Sequence, residues 1–301
     1  MYNMLERVFA TGREIVDRLY HTQMENLHEA AMLIANAHKD GHKFFVSGSG
    51  HSHTVAEELY GRAGTLAFTV PILTQELTLV DHPTKSTLLE RLDGYASILA
   101  ELYHISEGDV VLITSNSGRN AYPVELALEA KKRGAKVIAI TNMKHTLSTT
   151  SRHSSGKRLF EVSDVVIDNC GEIGDASTSI EGYEAKICPT SSIANAIICS
   201  CINGEVCECL RQMGCEVEVF ISANLDGGYE KNEEYFKKFN RIVFAQRRKT
   251  LANNLKSGFG YSKELIEEIL TKNNISLTIR TEALTVVEIV KLSNEFYLAQ
   301  K

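Results

Sequence analysis

The stretch Asp109-Val110-Val111-Leu112-Ile113-Thr114-Ser115-Asn116-Ser117-Gly118 decides the fold of this 301-residue chain. Its aliphatic run is too short for a helix and reads as a strand buried on both faces. Asn116-Ser117-Gly118 then supplies a turn, and a helix is expected over residues 121–133, ended by Gly134. Lys136-Val137-Ile138-Ala139-Ile140-Thr141 is a second buried run. Strand, turn, helix and strand at this spacing make a βαβ unit, which requires a parallel sheet.

The same alternation extends in both directions. Towards the N-terminus, residues 43–47 read as a strand, Gly48-Ser49-Gly50 as a turn and residues 51–60 as a helix. Residues 66–73 are a further strand candidate, and one helix is expected over residues 86–104. Towards the C-terminus, residues 165–168 and 217–221 read as strands flanking a long apolar helix at residues 191–213. The chain opens on an amphipathic helix over residues 4–40, with Leu5, Val8, Ile15 and Leu19 at helical spacing. Composition changes after Asn240, where three short helices are expected. The division expected is therefore a domain at residues 1–240 and a helical tail at 241–301.

With 44% apolar and 23% charged residues, the chain can build a packed core; collagen and wholesale disorder are excluded. No uninterrupted run of about 18 apolar residues predicts a membrane span, and the start lacks an export pattern. A cytoplasmic location is expected. Charge divides unevenly: residues 1–241 hold 23 Lys and Arg against 32 Asp and Glu (−9), residues 242–301 hold 9 against 6 (+3). The acidic body is a poor wrapper of nucleic acid, whose phosphates demand clustered cations. Seven cysteines, an odd number, make a disulfide framework improbable; C-x-C-x5-C-x-C at Cys199, Cys201, Cys207 and Cys209 is no zinc pattern. They read as small hydrophobic residues.

In an open α/β sheet, ligands bind at the carboxyl ends of the strands, where strand order reverses. Two expected strands end in small polar residues, Ser49-Gly50-His51-Ser52-His53 and Ser115-Asn116-Ser117-Gly118. Glycine admits a close approach of backbone to phosphate, hydroxyls donate to it, and each following helix presents free N–H groups. Alone, either loop is an ordinary capped turn; two on adjacent units favour an anion site. Neither loop is a dinucleotide fingerprint or a P-loop. A phosphomonoester bound without metal or cofactor is the expectation. His53 and Glu57, four apart, share one helix face beside it, with Glu58 on the next, as candidates for proton transfer.

These residues resemble the SIS (sugar isomerase) domain family, in its phosphoheptose isomerase-like subgroup. The likeness runs through Phe44-Phe45-Val46-Ser47-Gly48-Ser49-Gly50-His51-Ser52, Ala56-Glu57-Glu58-Leu59, Ile113-Thr114-Ser115-Asn116-Ser117-Gly118-Arg119-Asn120 and Pro189-Thr190-Ser191-Ser192. It covers about residues 1–240. The resemblance implies a three-layer αβα sandwich around a five-stranded parallel sheet, of flavodoxin-like type, assembled as a homodimer or homotetramer. It implies hydroxyls of Ser52, Ser115 and Ser117 on a sugar phosphate, with Ser49, His51 and Asn116 in the same loops. Thr190 and Ser191 would cap the last helix nearby. Glu58 matches the glutamate that moves a proton through an enediol(ate) in aldose–ketose isomerisation. Two residues depart from the pattern: Thr54 replaces a histidine, and no histidine follows His153. A non-catalytic phosphosugar sensor and an amino-sugar-phosphate etherase are the alternatives on this fold.

The tail resembles the C-terminal domain of the small-subunit rRNA adenine dimethyltransferases, through Arg241-Ile242-Val243-Phe244-Ala245-Gln246-Arg247-Arg248-Lys249-Thr250-Leu251 and Arg280-Thr281-Glu282-Ala283-Leu284-Thr285. That implies an all-helical appendage, with Arg247, Arg248 and Lys249 as candidate contacts to rRNA phosphates. The S-adenosylmethionine loop and base-holding motif of that family are missing, so neither that cofactor nor methyl transfer is expected.

Overall fold

Residues that alternate between two apolar cores build the central sheet. The computed structural model describes residues 3–80, 82–232, 251–252, 255, 262–273, 275–279 and 292. Strands β1 (Phe44–Gly48), β2 (Thr69–Ile72), β3 (Val110–Thr114), β4 (Lys136–Thr141) and β5 (Val165–Asp168) pair in parallel, in the order β2-β1-β3-β4-β5. Every residue of β1 and β3 is buried. Phe44, Val46, Val110, Leu112, Ile138 and Ile140 enter one core; Phe45, Val111, Ile113, Val137 and Ala139 enter the other. A period of two thus fills both faces, as a sheet covered by helices on each side requires.

The first core is closed by α1 (Asn3–Lys39), α2 (Thr54–Leu59) and α8 (Ser191–Gln212). In α1 the buried stripe runs through Ile15, Leu19, Gln23, Leu27, Ala31 and Ile34. The Gln23 Oε1 accepts the Asp168 N–H at 2.9 Å, tying the helix to the end of β5. Length and composition alone would let α8 cross a membrane, yet half its apolar window is buried. Ala194, Ile198, Ile202, Val206 and Leu210 join the core it shares with α1, so α8 is a core helix. The second core is closed by α4 (Tyr95–Leu102), α5 (Ala121–Lys132) and α7 (Leu159–Val162). The result is the three-layer αβα sandwich, with the flavodoxin-like strand order.

Two local expectations are corrected, and one element is added. The helix expected over residues 86–104 is two helices, α3 (Pro83–Leu89) and α4. Gly94 breaks it with a φ of 91°, and the Glu125 carboxylate accepts the Gly94 and Ala96 N–H groups at 2.9 and 3.1 Å, capping α4. Residues 217–221 form no strand of the sheet, since only Val219 makes a single antiparallel bridge to Leu66. A small antiparallel ribbon, β6 (Ala176–Thr178) with β7 (Ile187–Pro189), is too short to leave a periodic signal. The remaining helix of this part, α6 (Met143–Leu147), starts at Asn142, whose Oδ1 accepts the His145 N–H at 2.8 Å.

The chain divides into two compact units, Met1–Phe220 and Ile221–Lys301, the boundary falling ahead of the composition change after Asn240. Within the second, Leu251, Leu255, Ile266, Ile269, Leu270, Ile275 and Leu292 form a small core. Helix α9 (Lys263–Lys272) starts at Ser262, whose Oγ accepts the Leu265 N–H at 3.2 Å. All seven cysteines are free: Cys199 and Cys209 are buried, Cys201 is exposed and the other four are half-buried. Burial pushes the Cys199 thiol up to about 12.

Leu112, fully buried at the centre of β3, sets the scale of this packing. Leu112→Ala is expected to lower the unfolding free energy by about 2–5 kcal/mol. Urea titration measures it, and a loss of less than about 1 kcal/mol contradicts the assigned core.

Candidate functional site

Gly48 of β1 pairs with Thr114 of β3, so Ser49 and Ser115 leave neighbouring strand tips, about 5 Å apart. The chain after β1 runs into α2 on one face of the sheet; the chain after β3 runs into α5 on the other. This is the switch point of the strand order, the place at which open α/β sheets bind ligands.

Each loop is held by contacts that explain its composition. A Cβ on Gly48 would stand 2.4 Å from the Ser52 carbonyl oxygen, so only glycine admits the tight turn there. The Ser52 N–H donates to the Ser49 carbonyl at 3.1 Å, and the His53 ring contacts the Gly50 carbonyl. In the second loop Gly118 has a φ of 59° and donates its N–H to Ser115 Oγ at 3.2 Å. Thr141 Oγ1 donates to the Ser115 carbonyl at 2.7 Å, and Asn169 Nδ2 donates to Asn116 Oδ1 at 2.9 Å. The Asn116 side chain is therefore committed to the neighbouring strand tips. Ser52 and Ser117 are half-buried, His51 is exposed, and Ser49 and Ser115 are buried. Among the described residues, no partner is seen for the Ser52 and Ser117 hydroxyls.

A carboxylate joins the two loops. Glu90, the residue that ends α3, accepts from Ser49 Oγ at 2.7 Å and from Asn120 Nδ2 at 2.7 Å. Burial raises its pKa; the Ser49 hydrogen bond and the Arg91 and Arg152 guanidiniums act in the opposite direction. Arg152 Nη1 donates to Asn120 Oδ1 at 2.9 Å, and its backbone N–H donates to the Arg119 carbonyl at 2.7 Å. Desolvation and then repulsion by Arg119 and Arg91 lower the Arg152 pKa, with Glu90 opposing. Two exposed guanidiniums, Arg91 and Arg152, thus act on one half-buried carboxylate beside the serine loops, and Arg119 stands near Arg152.

The other candidates lie at varied distances from this point. His53 Nε2 is 3.3 Å from Glu57 Oε1, joining the two on one face as their spacing implies. Glu58 forms an ion pair with Arg62 and faces a cavity of about 560 Å³, lined also by Cys199 and Asn203 of α8. Thr190 and Ser191 begin α8, but Asp175 does the capping: its carboxylate accepts both N–H groups, at 3.0 and 2.8 Å, and the Ser191 hydroxyl at 2.8 Å. The anion position at that helix end is filled from within the chain. Arg247, Arg248 and Lys249 lie outside the described residues.

One mixed cluster has metal-ligating atoms within 4.8 Å of one another: His28, Glu205 and Cys209. It sits fourteen residues into α8, roughly 21 Å along the helix from its N-terminus. His28 Nδ1 and Glu205 Oε1 already share a 2.6 Å contact, and burial with Glu205 and Glu208 raises the Cys209 thiol. It is a hydrogen-bonded pair beside a protonated thiol.

Comparison with known proteins follows the same lines. A family described as the SIS domain matches residues 8–142. The UPF0309 protein BH3325 of Halalkalibacterium halodurans is 43% identical over 225 residues, 75% of this chain and 93% of that protein. The UPF0309 protein Teth39_1980 of Thermoanaerobacter pseudethanolicus is 40% identical over 232 residues, 76% and 94% of the two. The chain belongs to the UPF0309 family. A solved structure of phosphoheptose isomerase from Neisseria gonorrhoeae aligns with a TM-score of 0.45 and 17% identity, over 70% of this chain and 98% of that one.

Within this UPF0309 chain, Glu90 and Arg152 are candidate site residues to which the sequence reading gave no role. Glu90 sat inside what reads as one continuous helix, and only the break at Gly94 shows that α3 ends there. Arg152 lies in a loop with no periodic signal, 62 residues further along.

Two outcomes are expected here. Gly48→Ala forces the Ser52 carbonyl to move, so it should lower both the melting temperature and any ligand binding at the loops; wild-type values for both would contradict this turn. Glu90 binds its proton more tightly folded than unfolded, so the stability it adds is complete below the ordinary carboxylate range. That stability is lost as pH rises through the raised pKa. Melting temperatures of wild type and Glu90→Gln, compared across pH, should therefore shift in favour of the variant as pH rises. A pH-independent difference would contradict the burial of Glu90.

Proposed function

We propose that this SIS-domain protein binds a phosphorylated sugar at the tips of β1 and β3 and interconverts its aldose and ketose forms. The observation that carries the reading is the register of Gly48 against Thr114, which sets two hydroxyl-bearing loops side by side. Ser52 and Ser117 offer hydroxyls to the phosphoryl group, and Ser115 adds a third. The guanidiniums of Arg91 and Arg152 favour an anion beside the loops, and no metal is needed to hold a phosphomonoester there. The resemblance to phosphoheptose isomerases assigns proton transfer through an enediol(ate) to Glu58, with Glu57 and His53 beside it. A cytoplasmic setting suits such a ligand. Homo-oligomerisation is part of this reading: Leu5, Phe9, Tyr20 and Met24 leave exposed apolar surface along α1.

A phosphosugar sensor without turnover is the second reading. The Glu58–Arg62 ion pair favours it, as does the lack of any histidine after His153. Deuterium uptake from solvent into a bound sugar phosphate separates the two, since only the isomerase exchanges a carbon-bound proton.

Ser117→Ala is expected to weaken binding of a sugar phosphate by about 1–2 kcal/mol, a factor of about 5–30. Calorimetry against a panel of aldose and ketose phosphates reads it, with the unphosphorylated sugars as controls. Unchanged affinity in both Ser117→Ala and Ser52→Ala would overturn the pocket. For the assembly, Phe9→Asp should lower the sedimentation coefficient towards that of the monomer; an identical value removes α1 from the interface.

A further inference from the structure

Glu90 stands beside both serine loops without a role in the reaction described so far. Its carboxylate reaches loop one through Ser49 and loop two through Asn120, at 2.7 Å each. Its backbone is fixed as firmly: the Glu90 N–H donates to the Ser86 carbonyl and its own carbonyl accepts the Tyr122 N–H, both at 2.9 Å. A carboxylate offers about four lone-pair positions, and the two contacts with Ser49 and Asn120 leave acceptor capacity open. The residue is half-buried, between the two hydroxyl-bearing loops and within reach of the Arg91 and Arg152 charges. The candidates on α2 are placed differently. Glu57 is engaged by His53, and Glu58 by Arg62 on the side facing α8.

We propose that Glu90, in place of the Glu58 to which the resemblance points, is the catalytic base of this site, taking the proton from the carbon beside the sugar carbonyl and returning it to the neighbouring carbon. The inference rests on the sugar-phosphate reading above. In the aldose-to-ketose direction the C2–H bond breaks, its proton passes to the Glu90 carboxylate, and the electron pair forms the enediolate double bond. Oxygen O1 takes a proton from water and the O2 hydroxyl gives one to water. The proton on Glu90 is then delivered to C1, and the C2–O2 carbonyl forms. Atoms and charge balance, and no oxidant or reductant enters. The guanidiniums stabilise the negative charge that develops on the enediolate oxygens. Burial suits the task, because it raises the pKa of the carboxyl and makes it a stronger base when ionised.

Glu90→Gln is the discriminating variant, because its shape and both hydrogen bonds can survive. The amide oxygen accepts from Asn120, and the amide nitrogen donates to the Ser49 hydroxyl, which can rotate to accept. The experiment measures two things on wild type, Glu90→Gln and Glu58→Gln: calorimetric affinity for a panel of aldose and ketose phosphates, and deuterium uptake at C1 and C2 by NMR in heavy water. The expected result is affinity within about threefold of wild type in Glu90→Gln, with exchange reduced at least about 100-fold. Exchange that persists in Glu90→Gln overturns the proposal, most directly if Glu58→Gln abolishes it. Loss of binding in Glu90→Gln also overturns it, by making Glu90 a brace between the loops. Wild type that binds without exchange rejects the role of Glu90 but leaves the sugar-phosphate reading standing. Wild type that binds no sugar phosphate rejects both.

Discussion

The pairing of β1 with β3, in the register that sets Gly48 against Thr114, is the constraint from which the site follows. Parallel strands buried on both faces cannot slip by one residue without exchanging the side chains of two cores. Phe44 and Phe45 enter opposite cores, as do Leu112 and Ile113, and each core would reject the other's complement. Register is therefore fixed by packing over the whole sheet. The two serine loops inherit their juxtaposition from it.

Burial creates a second condition at the same place. Glu90 loses water and recovers hydrogen bonds from Ser49 and Asn120, while Arg91 and Arg152 act on it and repel one another, with Arg119 adding to the repulsion on Arg152. Like charge gathered beside hydroxyls that have no partner among the described residues favours an anion and is relieved by one. At the other helix end in this part of the sheet, Asp175 supplies that relief from within the chain, at the start of α8. The difference explains why the serine loops, and not Thr190 and Ser191, are the site proposed for the anion.

Much of this was legible in the amino-acid sequence, for physical reasons that differ between elements. The runs at residues 110–114 and 136–141 are unambiguous because doubly covered strands need unbroken apolar residues, and the stripe of α1 is unambiguous because it is long. Gly48 and Gly118 marked their turns, and the hydroxyls beside them marked a site. The break between α3 and α4 was hidden, because the cap that stabilises it comes from Glu125, more than thirty residues beyond Gly94. With the break went Glu90, whose meaning depends on partners from two other loops. Asp175 was hidden for the same reason: a cap supplied across fifteen residues has no local spacing to betray it. Long-range polar contacts, rather than packing, are what periodicity fails to report.

The most direct measurement is the electron density of a crystal of this protein soaked with a sugar phosphate. The phosphoryl group is predicted between residues 49–52 and 115–117, within hydrogen-bond distance of the Ser52 and Ser117 hydroxyls, with the sugar extending towards Glu90. Density for the phosphoryl group at the start of α8, in the cavity beside Glu58, or nowhere on the chain would contradict the account.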